Sequence, residues 1–495
     1  MSAGMMGRAR RTHPGGIRWT GAEVEKASKV SLSHALDAVR GVLTQPDAVH
    51  LVMLLVLLRH EAQRDDGAHG SRAERAWSGV QGRGLWTRDG HDVLQEILRG
   101  LEEWQARHVE LRDLPPVLTD VRGSDLEPLV HCVSEAREVA TLFESCLGHV
   151  QRSAKGGDYY TPMDIADLLS GLMEPRRGER VYDPACGSGG FLVKAEEWVR
   201  AQGGQPGDTA LYGQDSNRAA VETAAINLTV HGVSGSLHGP ASSLTDDRFR
   251  ELTFDVVLAN PPFNQTAWSQ QGWERHHAWR YGAPPTGNAN FAWAQHVVSK
   301  MSPKRSGRAA LLLPTAAAST ARPAELRIRA GLVEDDTLSS VIELPAGLLP
   351  HVRNPVTLWL FNSSKKDRPS WGDNDRSGYV LLIDASDTAV KVARGRRALP
   401  GDAQDRIADT VAAWRGARDQ GPYKDVPGWC RSLTVQEIAA QNYDVLPSRR
   451  VGAPATEPGF GDDDEKVGDL TQELYSLFGA SRRLEAELRD LLDQW

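Results

Sequence analysis

The sequence predicts an α/β protein: a doubly wound, mostly parallel sheet, an all-helical domain before it and a helical tail behind it. Three observations carry this. After Lys155, short apolar runs alternate with helical stretches, as strand–helix–strand units require. Before that point, apolar residues recur only at three-and-four spacing, which is helical. At 495 residues the chain has room for about three domains of roughly 150 residues each.

Taken in order, residues 1–25 read as a disordered basic tail, with Arg8, Arg10 and Arg11 and no apolar segment behind them to form a secretory signal. A helical domain over residues 26–155 follows, with helices expected at Val30–Val42, His50–His60, His91–Trp104 and Arg137–Leu147. The run from His50 to Leu58 is about half of what spans a bilayer, so it reads as a buried helix. A sheet domain is expected over residues 156–390. Its strands are Arg180–Tyr182, Ala210–Gly213, Phe254–Ala259, Arg308–Pro314, Ser340–Leu344, Val356–Phe361 and Tyr379–Ile383. Residues 391–458 read as a helical or irregular extension. An acidic linker and a partner-binding helix fill residues 459–495. There Leu470, Leu474, Leu477, Leu484, Leu488, Leu491 and Trp495, interrupted by Ser481, alternate at four-three spacing, the pattern of a helix packed along another.

Composition narrows the class. With 40% hydrophobic and 25% charged residues the chain cannot be wholly disordered. Its 57 basic and 65 acidic residues leave a net charge of −8, which neither requires nor excludes nucleic acid, because a DNA-binding face can be local. Cys132, Cys146, Cys186 and Cys430 form no CxxC pair. That argues against a disulfide framework or structural zinc, and fits a reducing, cytoplasmic setting with no membrane and no metal.

The first motif is Tyr182-Asp-Pro-Ala-Cys-Gly-Ser-Gly-Gly-Phe191, a glycine turn between a strand and a helix. Such a turn lets backbone approach a ligand at a helix N-terminus. Leu192 stands where a dinucleotide fingerprint needs its third glycine, and the Gly-Lys-Ser/Thr of a P-loop is absent. Asp215 ends the next strand, placed to accept hydrogen bonds from ribose hydroxyls. A nucleoside ligand carrying a carboxylate in place of phosphates fits, and S-adenosylmethionine is one. Asp183, Pro184, Ala185, Gly187, Ser188, Gly189, Gly190, Phe191 and Asp215 are the candidate cofactor residues. A side chain at Gly189 is expected to close the pocket.

The second motif is Asn260-Pro-Pro-Phe263, a rigid turn after the strand ending at Ala259. The Asn260 side-chain carbonyl and the Pro261 backbone carbonyl can both accept from one NH2 group, while Pro262 stiffens the turn. That pairing stabilises the positive charge that develops as an aromatic amine attacks a sulfonium methyl. Phe263 can stack on the planar base. Asn264–Asn290 then forms a long loop in which Trp268, Trp273, Arg275, His276, His277, Trp279, Arg280 and Tyr281 interleave aromatic and basic character. Trp268, Trp273, Arg275, Arg280 and Tyr281 are the candidate DNA contacts, in a loop expected to order on DNA.

The glycine motif, the acidic strand end and Asn260-Pro-Pro-Phe263, in that order, resemble an amino-group (adenine-N6) DNA methyltransferase, above all the modification subunit of type I restriction–modification systems. Gly157-Asp-Tyr-Tyr-Thr-Pro162, Tyr281–Phe291, Val341-Ile-Glu-Leu-Pro345 and Asn442–Arg450 resemble further segments of that family. The resemblance implies a methyltransferase (Rossmann-like) fold and S-adenosyl-L-methionine as methyl donor. It adds Tyr160, Thr161 and Pro162 beside the methionine part of the cofactor. Where the family has an acid near the adenine, this chain reads His238-Gly-Pro-Ala-Ser-Ser-Leu244, which leaves the contact to the adenine amino group to Ser242, to backbone or to neither. Asn290 likewise stands where the family has an acid. The implied partners are double-stranded DNA with a flipped adenine and a separate specificity subunit, shared by two modification subunits, with a restriction subunit as a possible third component. Two alternatives remain open: a catalytically weak or inactive methyltransferase-fold DNA-binding subunit of another defence complex, and a cytosine-N4 DNA methyltransferase. Cys186 lies inside the glycine motif, away from the Asn260 turn, so it does not read as the nucleophile of a cytosine-C5 enzyme.

Overall fold

The computed structural model describes residues 31–64, 70–82, 88–109, 111, 121–153, 161–269, 279–349, 352, 354–366, 372–392, 397–417 and 420–452. Its N-terminal helices are α1 (Leu32–Ala38), α2 (Gln45–Ala62), α3 (Arg72–Gln81), α4 (Gly90–Gly100), α5 (Glu102–Arg107), α6 (Glu127–Glu135) and α7 (Val139–Ser153). Ser31, Thr44, Ser71 and Asp89 cap the first four, each side chain accepting the N–H three residues on. Every residue of α2 from Ala48 to Leu58 is buried, so the longest apolar run is a core helix, as expected. Helices α3 and α6 were not foreseen. The α3 sequence, Arg-Ala-Glu-Arg-Ala-Trp-Ser-Gly-Val-Gln, buries Ala73, Ala76, Trp77 and Val80 at helical spacing, a stripe that its two small alanines make inconspicuous.

The remainder builds the sheet. Helix α8 (Met163–Met173) leads into β1 (Arg180–Asp183), α9 (Gly190–Ala201), β2 (Ala210–Gln214), α10 (Arg218–Val230), β3 (Gly235–His238) and β4 (Val256–Ala259). Then follow α11 (Asn290–Lys300), β5 (Arg308–Pro314), α12 (Pro323–Glu334), β6 (Leu338–Leu344), β7 (Val356–Asn362) and β8 (Tyr379–Asp384). A two-residue hairpin, β9 (Val390–Lys391) and β10 (Arg397–Ala398), precedes α13 (Gly401–Arg415), β11 (Cys430–Thr434) and α14 (Val435–Ala439).

Nine strands form one sheet in the order β11-β8-β6-β7-β5-β4-β1-β2-β3. The half from β5 to β3 is parallel throughout. In the other half, β7 runs against β5 and β6, and β11 runs against β8. The sheet is therefore mixed. Strand β11 lies in the stretch read as helical or irregular, because Cys430-Arg-Ser-Leu-Thr434 is a short edge strand with only two fully buried side chains. Alternation along the buried strands sends residues to two faces. Val256, Leu258, Ala310, Leu312, Leu358 and Leu360 meet α8, α9 and α13, while Val257, Ala259, Ala309, Leu311, Trp359 and Phe361 meet α11, α12 and α14. The sheet is doubly wound.

Helix α10 joins the two regions. Its Ala225, Ile226 and Val230 belong to the core of the N-terminal helices. Trp104 Nε1 donates to Thr229 Oγ1 at 2.9 Å, and His50 Nε2 lies 3.3 Å from Glu222 Oε1 with both side chains buried. Among the described residues no helix is long and apolar enough to cross a membrane, and no group of three or more His, Cys, Asp or Glu could hold a metal ion.

Candidate active site

Strand order fixes the site. Because β1 lies between β2 and β4, the loop leaving β1 stands beside the C-terminal ends of both neighbours. In open α/β sheets that edge, where strand order reverses, is the place for a ligand.

Polar bonds and close packing hold the glycine loop. Gly187 (φ 51°) donates its N–H to Asp215 Oδ2 at 2.9 Å, and Asn217 N–H donates to Oδ1 at 2.8 Å. Cys186 N–H donates to the Gln214 carbonyl. From behind, Asn227 Nδ2 donates to the Ser188 carbonyl at 2.8 Å. Gly189 (φ 77°) is pressed against α10: a Cβ there would lie 2.8 Å from Leu228 Cδ1 and 3.2 Å from Ala224 Cβ. This corrects the expectation for Gly189, whose missing side chain makes room for a helix. At Gly190 a Cβ would meet nothing within 4 Å. The open space of the loop lies over the first residue of α9.

The remaining candidates sort by burial. Ala185, Gly187, Ser188, Gly190 and Asp215 are half-buried. Asp183, Pro184, Gly189 and Phe191 are buried. Phe191 packs in the core with Leu192 and Val193. Asp183 Oδ1 accepts from Ala185 N–H at 3.0 Å. Burial pushes its carboxyl well above the usual carboxylate range; the Ala185 bond opposes the shift and the nearby Asp215 charge adds to it. Burial, with the Asp215 and Asp183 charges, also raises the Cys186 thiol, which stays protonated and is no nucleophile. Ser242 is half-buried. Its neighbour Ser243 is the one that reaches the loop, donating to the Pro184 carbonyl at 2.6 Å.

The Asn260-Pro-Pro-Phe263 turn leaves β4. Asn260 is 6% exposed and donates from Nδ2 to Thr161 Oγ1 at 2.9 Å. Thr161 and Pro162 precede α8, and Pro162 is its N-cap. Among the described residues nothing donates to Asn260 Oδ1 or to the Pro261 carbonyl. Pro261 is buried, whereas Pro262 and Phe263 are half-buried, with Phe263 packed on one face of the core. Asn264 follows in a left-handed conformation (φ 52°) and is clamped by side chains. Its N–H donates to Asn290 Oδ1 at 2.9 Å, and its own Oδ1 accepts from Asn290 Nδ2 at 3.0 Å and from Asn288 Nδ2 at 3.3 Å. Asn290, at the family's acidic position, is thus a two-way clamp on the turn.

The aromatic and basic loop is placed differently from expectation. Trp268 is 4% exposed, stacks edge-on against Trp279 at 5.8 Å and donates to the Pro285 carbonyl. Arg280 Nη2 and Tyr281 Oη both bond Asp335, each at 2.7 Å, and Tyr281 N–H donates to Gln295 Oε1. A Cβ on Gly331 would lie 2.6 Å from the Tyr281 ring. Asp335 follows α12, whose 12 residues carry it about 18 Å from the catalytic edge. Arg280 and Tyr281 thus tie the end of the loop to the C-terminus of α12, while Trp268 packs with Trp279, Leu244, Ala289 and Trp293 in a cluster that Ala185 of the glycine loop also touches. Tyr160, Trp273, Arg275, the His276–His277 pair, residues 1–25 and the partner helix in 459–495 lie outside the described residues.

Two later segments meet behind the sheet. The Ser448 N–H donates to buried Glu343 Oε2 at 3.0 Å, and buried Arg329 bonds the Tyr443 and Ala317 carbonyls. Of the positions that matter here, Asn227, Ser243 and Asn264 had no motif to announce them. Only the Asn288-Ala-Asn290 cluster, ahead of an apolar helix, gave a signal.

Known proteins share this layout. The pattern of the N-6 DNA Methylase family matches residues 136–458. The type I restriction enzyme HindI methylase subunit of Haemophilus influenzae is 34% identical over 338 residues, which are 68% of this chain and 72% of that one. The MjaIX methylase subunit of Methanocaldococcus jannaschii is 29% identical over 344 residues, 68% of this chain and 59% of its own length. The crystal structure of the type I restriction-modification system methyltransferase subunit from Streptococcus thermophilus shares the fold, with a TM-score of 0.67 at 20% identity over 87% of this chain and 99% of that one. The chain thus belongs to the N-6 DNA methylase family, among the methylase subunits of type I restriction–modification systems.

Proposed function

We propose that this chain transfers a methyl group from S-adenosylmethionine to the N6 amine of adenine in double-stranded DNA, as the modification subunit of a type I system. The observation that carries the reading is the strand order β4-β1-β2, which sets the glycine loop between the Asp215 carboxylate and the Asn260 turn. The open space over Gly190 and the carboxylate at the β2 end fit a nucleoside that carries a carboxylate in place of phosphates. When bound, that cofactor supplies an electrophilic sulfonium methyl.

The chain's own residues do the rest. Ala185, Gly187, Ser188 and Gly190 line the loop, and Asp215 accepts from the ribose hydroxyls. Asn260 Oδ1 and the Pro261 carbonyl accept the two N–H groups of the amine. Holding both protons, they draw the nitrogen lone pair out of the ring and stabilise positive charge as it forms. The face of Phe263 stacks on the base, which must leave the duplex to reach the turn. A separate specificity subunit supplies sequence reading, with two modification subunits on each and the heptad-patterned segment of residues 459–495 as the contact.

The test uses the full chain with its specificity subunit, DNA and tritiated cofactor. Digestion to nucleosides should put the label in N6-methyladenine. Label in N4-methylcytosine, or none at all, overturns the reading.

A further inference from the structure

The side-chain amide of Asn260 has two ends of nearly the same shape and opposite chemistry. One accepts hydrogen bonds and the other donates them. A half-turn about its last torsion would aim NH2 at the substrate amine and set hydrogen against hydrogen. Something must fix which end faces outward.

Thr161 is 99 residues away in sequence and accepts from Asn260 Nδ2 at 2.9 Å. Its position is itself fixed. The following Pro162 caps α8, and Ile165, Leu168 and Leu169 of that helix are buried against β4 and β5. Asp164 ties the helix start to a second segment, accepting from Leu399 N–H at 3.0 Å. With Nδ2 engaged, Oδ1 is the end left facing out, and among the described residues nothing donates to it.

We infer that Thr161 is a positioning residue for methyl transfer: its hydroxyl fixes the polarity of the Asn260 amide. This rests on the function proposed above, and it differs from a role in holding the methionine part of the cofactor. The two are separable. A polarity role acts on turnover, whereas a cofactor contact acts on affinity.

Thr161→Val keeps the shape and removes the acceptor. In the complex with its specificity subunit, its single-turnover rate should fall about tenfold, the effect of one lost hydrogen bond of ordinary strength. S-adenosylmethionine affinity, read by calorimetry on the full chain, should stay within about twofold, because the hydroxyl acts on the amine and not on the cofactor. Thr161→Ser restores the acceptor and should recover most of the rate. Should Thr161→Val fold poorly, Thr161→Ala read with the same two measurements replaces it. Unchanged turnover in Thr161→Val, no recovery in Thr161→Ser, or a loss confined to cofactor affinity each overturns the inference. A wild-type complex that makes no N6-methyladenine would instead sink the underlying function.

Discussion

The glycine loop and the asparagine turn leave neighbouring strands of one sheet, yet they are built by opposite means. The loop is held by its backbone and by what lies behind it. Gly187 and Ser188 bond through main-chain atoms, and Gly189 is pressed against Leu228 and Ala224 of α10. The turn is held by side-chain amides and a hydroxyl: Asn260 on Thr161, and Asn264 on Asn288 and Asn290. Damage should therefore take two forms. In the loop it strikes folding or cofactor affinity, and in the turn it strikes turnover in a folded protein.

The largest effect tests the turn. Asn260→Ala removes a preorganised acceptor and should lower turnover about a hundred- to a thousandfold, with the unfolding midpoint and cofactor affinity near wild type. A variant that instead melts early would place Asn260 with the loop. Gly189→Val is the opposite case. It adds bulk 2.8 Å from Leu228 at a left-handed φ, so it should cost about 3 kcal/mol in urea unfolding. Gly190→Val, which meets no protein atom, should keep wild-type stability and lose cofactor binding by calorimetry. If the two glycine variants behave alike, the loop does not divide as described.

Asn290→Ala removes two of the three side-chain bonds that hold Asn264, leaving the one from Asn288, and should cost about 1–3 kcal/mol, seen in turnover more than in cofactor affinity. The loop has a pH signature as well. The Asp183 carboxyl is raised in the folded state, chiefly by burial. It then holds its proton at pH values where the unfolded chain has released it, so stability falls as pH rises above about 4 toward the raised value. Asp183→Asn should remove that fall, which approaches about 1.4 kcal/mol per pH unit in the wild type. Parallel pH–stability curves would show that Asp183 is ionised in the fold. The smallest effect is Tyr281→Phe, which loses the hydroxyl's bonds to Asp335 and Thr337. It should cost about 1 kcal/mol of stability or less and leave single-turnover methylation within about twofold. A large drop in methylation would return Tyr281 to the DNA.

These contrasts also mark what the amino-acid sequence can disclose. The glycine motif, Asp215 and Asn260-Pro-Pro-Phe263 were legible because each is local: strand, turn and helix start are written in consecutive residues. Four strands of the parallel half were legible from their apolar runs, whereas β3, Gly235-Ser-Leu-His238, is a largely exposed edge strand with no such run and was not. The bond between Thr161 and Asn260 was not, because it joins segments 99 residues apart and either residue had a sufficient role without it. Gly189 and Gly190 look alike in sequence, and only the position of α10 separates packing from open space. Tyr281 and Arg280 follow the catalytic turn closely along the chain, but Asp335 draws them to the far end of α12. Proximity in sequence stood in for proximity in space, and it failed there.

Helix α10 has a consequence for anyone who would graft this active site. Its Leu228 and Asn227 back the glycine loop, while Ile226 and Val230 are interior to the N-terminal helices. A chain trimmed to begin at residue 156 would leave that apolar back in water and strip Trp104 from Thr229. The glycine loop would then rest on a helix with one side bare. Exchanging catalytic cores between relatives should therefore carry the helices along, since the smallest heritable piece that keeps its pocket includes both.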